Sequence, residues 1–179
     1  MLSELTVHSF EKKLDPLYWT VQYERGVAAV RSLTDGGSAD TLKQRVDRLR
    51  TDSQRLWGTM SPAQAVAHCS SALEMAMGTI RPRRALLGRV IGSLIKSKVL
   101  GNDDELRRNT TTVRELVVAD ERDLHAERAR LRALIDRFVA GSPTICTTHP
   151  HAFFGSLKPT EWAVLMYRHL DHHLRQFGV

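Results

Sequence analysis

Apolar positions fall into a helical rhythm in four parts of the chain. From Ala39 to Arg55, Leu42, Val46 and Leu49 recur at spacings of four and three, which lines one face of a helix. The next segment is punctuated as well as patterned. Ser61-Pro62-Ala63-Gln64 offers a serine N-cap, a proline at the first helical position and a glutamine where a capping box needs it. That helix is expected to reach about Met77, with Gly78 as its stop. Asp120 to Ala140 carries a buried stripe of Leu124, Leu131, Leu134, Ile135 and Phe138, closed by Gly141-Ser142-Pro143. Pro159 opens the last helix, expected to run to about Phe177 before Gly178.

The intervening segments are less regular. Scattered apolar positions from Leu17 to Leu33 leave room for one helix, and Asp35-Gly36-Gly37-Ser38 breaks it. Arg81 to Lys98, RPRRALLGRVIGSLIKSK, is basic and apolar together. One reading is an amphipathic helix on a membrane surface or partner. The other, preferred because Gly88 and Gly92 weaken a free-standing helix, is an inserted helix packed on its own bundle with Arg and Lys at the rim. Gly101 to Thr112 reads as a loop. Thr144 to Leu157 has no helical period and holds His149-Pro150-His151 and Phe153-Phe154-Gly155. With no persuasive sheet and no internal repeat, the pattern predicts an all-α chain. A four-helix bundle is the economical architecture, since each helix has one apolar stripe to bury. Residues 1–36 form an N-terminal extension, and 37–179 form one bundle domain with the inserted helix or loop.

Composition narrows the class. The chain has 179 residues, 42% apolar and 26% charged, enough for one domain with a real core. No apolar run approaches the ~20 residues of a membrane span, and the first residues carry charges where a signal peptide needs an apolar centre. A cytoplasmic protein without a membrane partner is expected. Two cysteines, Cys69 and Cys146, do not suggest a disulfide framework, and Cys69 reads as a small buried thiol. The net charge is +6, but much of it alternates with acids, as in ADERDLHAERARLRALIDRF, the pattern of a solvated helix face. Without a zinc finger, a glycine-aromatic RNA motif or a concentrated basic stripe, no nucleic-acid partner is expected.

The candidate chemistry lies in the histidines. At about 100° per residue, Trp162, Met166, His169 and His173 share one narrow arc, which is the apolar stripe of the last helix. Two imidazoles one turn apart therefore point at the core, where their nitrogens need partners. A metal ion satisfies one nitrogen on each ring, and i, i+4 is the spacing at which two helical ligands reach one ion. His68, at the side of a broad apolar arc on another helix, is the third candidate ligand, and His172, off the arc, is the reserve. Three neutral imidazoles leave positions open for water or substrate. The competing reading is a set of core histidines with separate backbone partners. No H-E-x-x-H is present, which argues against a zinc protease.

Other polar residues have two readings each. Gln64 lies one turn before His68, but its capping role explains it equally well. His149 and His151 sit in a loop over the open end of the bundle, as substrate or proton-shuttle residues or in a loop ordered by Phe153 and Phe154. Asp171 is expected to face away from the site.

The segments Trp57-Gly58-Thr59-Met60-Ser61 to His68, HPHAFFG (149–155) and Glu161-Trp162 to Gly178, ending HLDHHLRQFG, resemble the DinB/YfiT-like superfamily of helical-bundle metalloproteins, most of all an uncharacterised branch of it. The resemblance covers roughly residues 30–179. It implies a four-helix bundle with a three-ligand metal site at His68, His169 and His173. It also implies zinc or nickel, a frequent homodimer, and in some relatives transfer of low-molecular-weight thiols such as bacillithiol, mycothiol or glutathione. Lys158 departs from the pattern, since similar sequences usually have Ser or Thr as the cap there. The expectations are a metal-dependent thiol S-transferase or hydrolase, with a non-catalytic stress-response or binding module, metal-stapled or metal-free, as the alternative.

Overall fold

The computed structural model describes residues 30–102 and 104–179. Among them the chain is all-α, with five helices, one 3-10 turn at Arg114–Leu116 and no β-strand. Most of the expected Leu17–Leu33 helix lies outside the described residues, and its last positions, 30–33, are not helical.

α1 spans Ser38–Arg48, shorter than the Ala39–Arg55 expected from periodicity. Beyond Leu49 the run Arg50-Thr51-Asp52-Ser53 has no apolar residue to bury. Its Ser53 hydroxyl accepts a hydrogen bond from the Arg50 amide at 2.9 Å, offering the backbone an alternative to the helix. Leu49 turns into extended backbone and plugs the core at 2% exposure. α2, Pro62–Ala76, has the predicted capping box in both directions. The Gln64 amide donates to Ser61 Oγ at 3.2 Å, and the Ser61 amide donates to Gln64 Oε1 at 3.0 Å. α4, Leu124–Gly141, is capped by Asp123, which accepts from the His125 amide. α5, Pro159–Arg175, begins without a side-chain acceptor because Lys158 has none. Glu161 alone closes the turn, accepting from the Lys158 amide at 2.7 Å.

α2 is the central element, packing on α4 and α5, while α1 packs on the same two helices from another side. Nearly every side chain of α2 is buried, and Ala63, Ala65, Ala67, Ala72 and Ala76 let its neighbours approach closely. Trp162, Phe138, Ile135, Leu73 and Leu42 fill the layer between the helices. Leu134 is only half-buried, so the α4 stripe is narrower than predicted. Among the described residues no helix is long and apolar enough to cross a membrane.

α3, Leu86–Leu100, starts five residues later than Arg81: Ala85 is extended and donates its amide to the Ala152 carbonyl at 2.9 Å. It does pack on its own chain, beside α5. The sequence reading left its orientation open: in the structure Gly88 and Gly92 face inward against the backbone of Phe153. A Cβ on Gly88 would meet the Phe153 carbonyl oxygen at 2.5 Å, and one on Gly92 would come closer still. Gly92→Ala is therefore expected to push α3 off this contact and lower the unfolding free energy by about 1–3 kcal/mol, the usual range for overpacking, seen as a lower urea midpoint. An unchanged midpoint would show that α3 is not held by this contact.

Candidate metal centre

α2 and α5 cross so that His68, His169 and His173 come together. Their ring centroids form a nearly equilateral triangle with sides of 4.9, 4.9 and 4.8 Å. One ligand nitrogen from each lies within 4.8 Å of the other two. The i, i+4 pair and the ring from a second helix, read separately from the sequence, thus share one small volume.

Each ring is constrained. His68 Nδ1 lies 2.8 Å from the Leu116 carbonyl oxygen. That pairing makes Nδ1 the donor and leaves Nε2 with a free lone pair. His173 Nδ1 lies 3.0 Å from Gln176 Oε1, with the same consequence. Nε2 of His169 is enclosed and has no hydrogen-bond partner among the described residues. Buried polar atoms are seldom left this way, and an unmet nitrogen between two imidazoles with free lone pairs is a donor set that a cation could complete. A point equidistant from atoms 4.8 Å apart lies about 2.8 Å from each, and zinc–imidazole bonds are about 2.0–2.1 Å, so sub-ångström ring movements suffice to close on an ion. The donor set fits a divalent metal of the first transition row.

Burial holds all three rings neutral. It pushes His173 down to about 3, with the His68 ring adding to the effect. Burial also takes His169 well below the ordinary histidine value, followed by the charges of His173 and His68. His68 shifts the same way by burial, against the Leu116 carbonyl. Neutral imidazole is the form that ligates metal.

The orienting groups were not legible as a site in the sequence. Among the described residues no carboxylate does the work. Leu116 contributes a backbone carbonyl, for which side-chain identity gives no signal, and its own side chain is anchored in the core at 3% exposure. Gln176, three residues after His173, was detectable in principle as a polar residue on the stripe. It is 2% exposed and its Nε2 donates to the Trp57 carbonyl at 2.8 Å. Gly58 makes room for this link. Its φ is +75°, and a Cβ there would meet Gln176 Nε2 at 2.6 Å.

The remaining candidates separate from the triad. His172 stands beside Trp57, ring centroids 5.6 Å apart, and neighbours His173. Gln64 spends its amide on the Ala119 and Asp120 carbonyls as well as its cap. His149 contacts the Pro82 carbonyl oxygen. His151 accepts from the Phe153 and Phe154 amides, both at 3.1 Å, and stacks on Phe154, so it orders its loop. Asp171 pairs with Arg45 and Arg175, away from the triad as expected. Cys69 is buried and its thiol is pushed up by desolvation, which makes it a poor nucleophile. A cleft lined by Trp57, Glu105, Tyr167, Arg168, Asp171 and His172 lies alongside but holds none of the three rings. A small apolar cavity touches His173 alone of the three.

A family model described as "protein of unknown function (DUF1569)" matches residues 29–178, and the chain belongs to that family. No curated protein and no solved structure matches the chain.

Proposed function

We propose that this DUF1569 member is a DinB-like four-helix-bundle protein that binds one divalent metal ion, zinc or nickel, through His68, His169 and His173. The observation that carries the reading is the enclosed, unpartnered Nε2 of His169 beside two imidazoles whose Nδ1 atoms are already engaged. A divalent ion in such a site supplies Lewis acidity and lowers the pKa of a bound water or thiol. The Leu116 carbonyl and Gln176 fix the ring tautomers and orientations, as partners behind metal ligands do. With the resemblance noted above, this favours metal-dependent transfer of a low-molecular-weight thiol, or hydrolysis, in a homodimer.

A second reading has an observation of its own. His68 is 4% exposed, and neither the cleft nor the apolar cavity reaches all three rings. A metal held there would staple α2 to α5 without meeting substrate.

The test is metal content per chain by elemental mass spectrometry, on protein purified without a polyhistidine tag. Near-stoichiometric zinc or nickel is expected, and none in a His169→Ala/His173→Ala variant. A native protein that carries no metal and takes up neither ion would sink both readings. If metal is present, turnover of thiol adducts or esters separates the enzyme from the staple.

A further inference from the structure

α3 leaves one apolar face uncovered. Its small face, Gly88 and Gly92, lies against the Phe153 backbone. Four of its eight large apolar side chains face solvent: Leu86 is 79% exposed, Leu87 62%, Val90 79% and Leu94 77%, while Ile91, Ile95, Val99 and Leu100 are half-buried. On the helical wheel the exposed four cover an arc of about 100°. Scattered apolar residues on a surface need no account, but a contiguous patch on one helix does.

The patch is framed by one sign of charge. Arg89 and Lys98 lie on the two sides of the arc, and Arg81 and Arg83 stand exposed just before the helix. No acidic residue occurs between Glu74 and Asp103. Arg83, Arg89 and Lys98 pair with no carboxylate among the described residues. By contrast Lys96, on the inner side, is spent on Glu161 and the Ser156 carbonyl.

We propose that α3 and the arginine-rich turn before it dock on an anionic lipid surface, the helix lying in the plane of the headgroups. Leucine and valine would enter the headgroup–acyl boundary while the flanking cations meet lipid phosphates, the arrangement of interfacial amphipathic helices. This is a surface contact, not a span. A second copy of the chain is a poorer occupant, because an antiparallel two-fold contact through this face would bring Arg89 and Lys98 of one copy towards the cations of the other, with no carboxylate on the helix to offset them. The inference is independent of the metal site.

The test is sedimentation of the full chain with vesicles of phosphatidylcholine alone and of phosphatidylcholine with phosphatidylserine, at low and high salt. Wild type is expected to sediment with the anionic vesicles, to stay in solution with the neutral ones, and to be released by salt. Arg89→Gln/Lys98→Gln should weaken the partition about tenfold or more, and Val90→Asp/Leu94→Asp should abolish it. Both variants alter only exposed positions, and an unchanged circular dichroism spectrum and melting curve confirm the fold. Three results would overturn the proposal: no partition onto anionic vesicles, equal partition onto neutral ones, or a Val90→Asp/Leu94→Asp change that dissociates a dimer and leaves vesicle binding intact.

Discussion

Adding zinc or nickel to metal-free protein is expected to raise its melting temperature by roughly 10 °C, and the His169→Ala/His173→Ala variant is expected to show no such rise. A ligand that binds only the folded state stabilises it by about 4 kcal/mol when present at a thousandfold excess over its dissociation constant. For a domain of this size each kcal/mol moves the midpoint by about 2–4 °C. The coupling is direct because the three ligands come from α2 and α5, helices that must be packed together before their nitrogens lie within 4.8 Å of one another. Gln176→Leu should fall between the two. It frees Nδ1 of His173 and strands the Trp57 carbonyl, and loss of such an orienting partner typically weakens metal binding ten- to hundredfold. Differential scanning calorimetry with and without chelator makes the comparison. A native protein whose midpoint ignores both metals would remove the proposed site.

Metal-free protein is expected to lose stability steeply as pH falls below about 6.5. Burial lowers His173 to about 3 and His151 to about 4, the latter also by the charge of Arg84. The unfolded chain takes up protons near the ordinary histidine value of about 6.5, while the folded chain refuses them. Stability is therefore complete above that pH and declines as pH falls towards the folded-state values. At pH 5 each of these two rings contributes a loss on the order of 2 kcal/mol. His68 and His169 are depressed in the same direction and steepen the decline. Urea midpoints at pH 7 and pH 5, in chelator, read it out, and the slope should shrink in His169→Ala/His173→Ala. Equal midpoints at the two pH values in native protein would mean that these rings are not buried and neutral.

The resemblance and the helical wheel agreed on the same three histidines, and for a physical reason. An i, i+4 pair on an apolar stripe is fixed by backbone geometry alone, before any neighbour is known. Helix starts were equally readable where local chemistry decides them, as at Ser61-Pro62 with Gln64 or at Pro159. The end of α1 was missed because apolar spacing ran on to Leu49, while the hydroxyl of Ser53 settled the matter locally. For α3 the packing was legible and the contact face was not. Two glycines looked like weaknesses in a helix, yet they are its contact surface, since only a face without Cβ atoms can lie on the Phe153 backbone.

What the sequence determined by itself is the all-α class, the segments that become helices, and which histidines those helices turn inward. These follow from period, capping and burial, all local properties. What the tertiary structure decided is that His68 from α2 meets the pair from α5, that the Leu116 carbonyl and Gln176 hold two of the rings, that Gly58 makes room for Gln176, and that α3 turns Leu86, Leu87, Val90 and Leu94 outward. Each of these depends on distances between segments far apart in the chain, and a linear pattern carries no such distances.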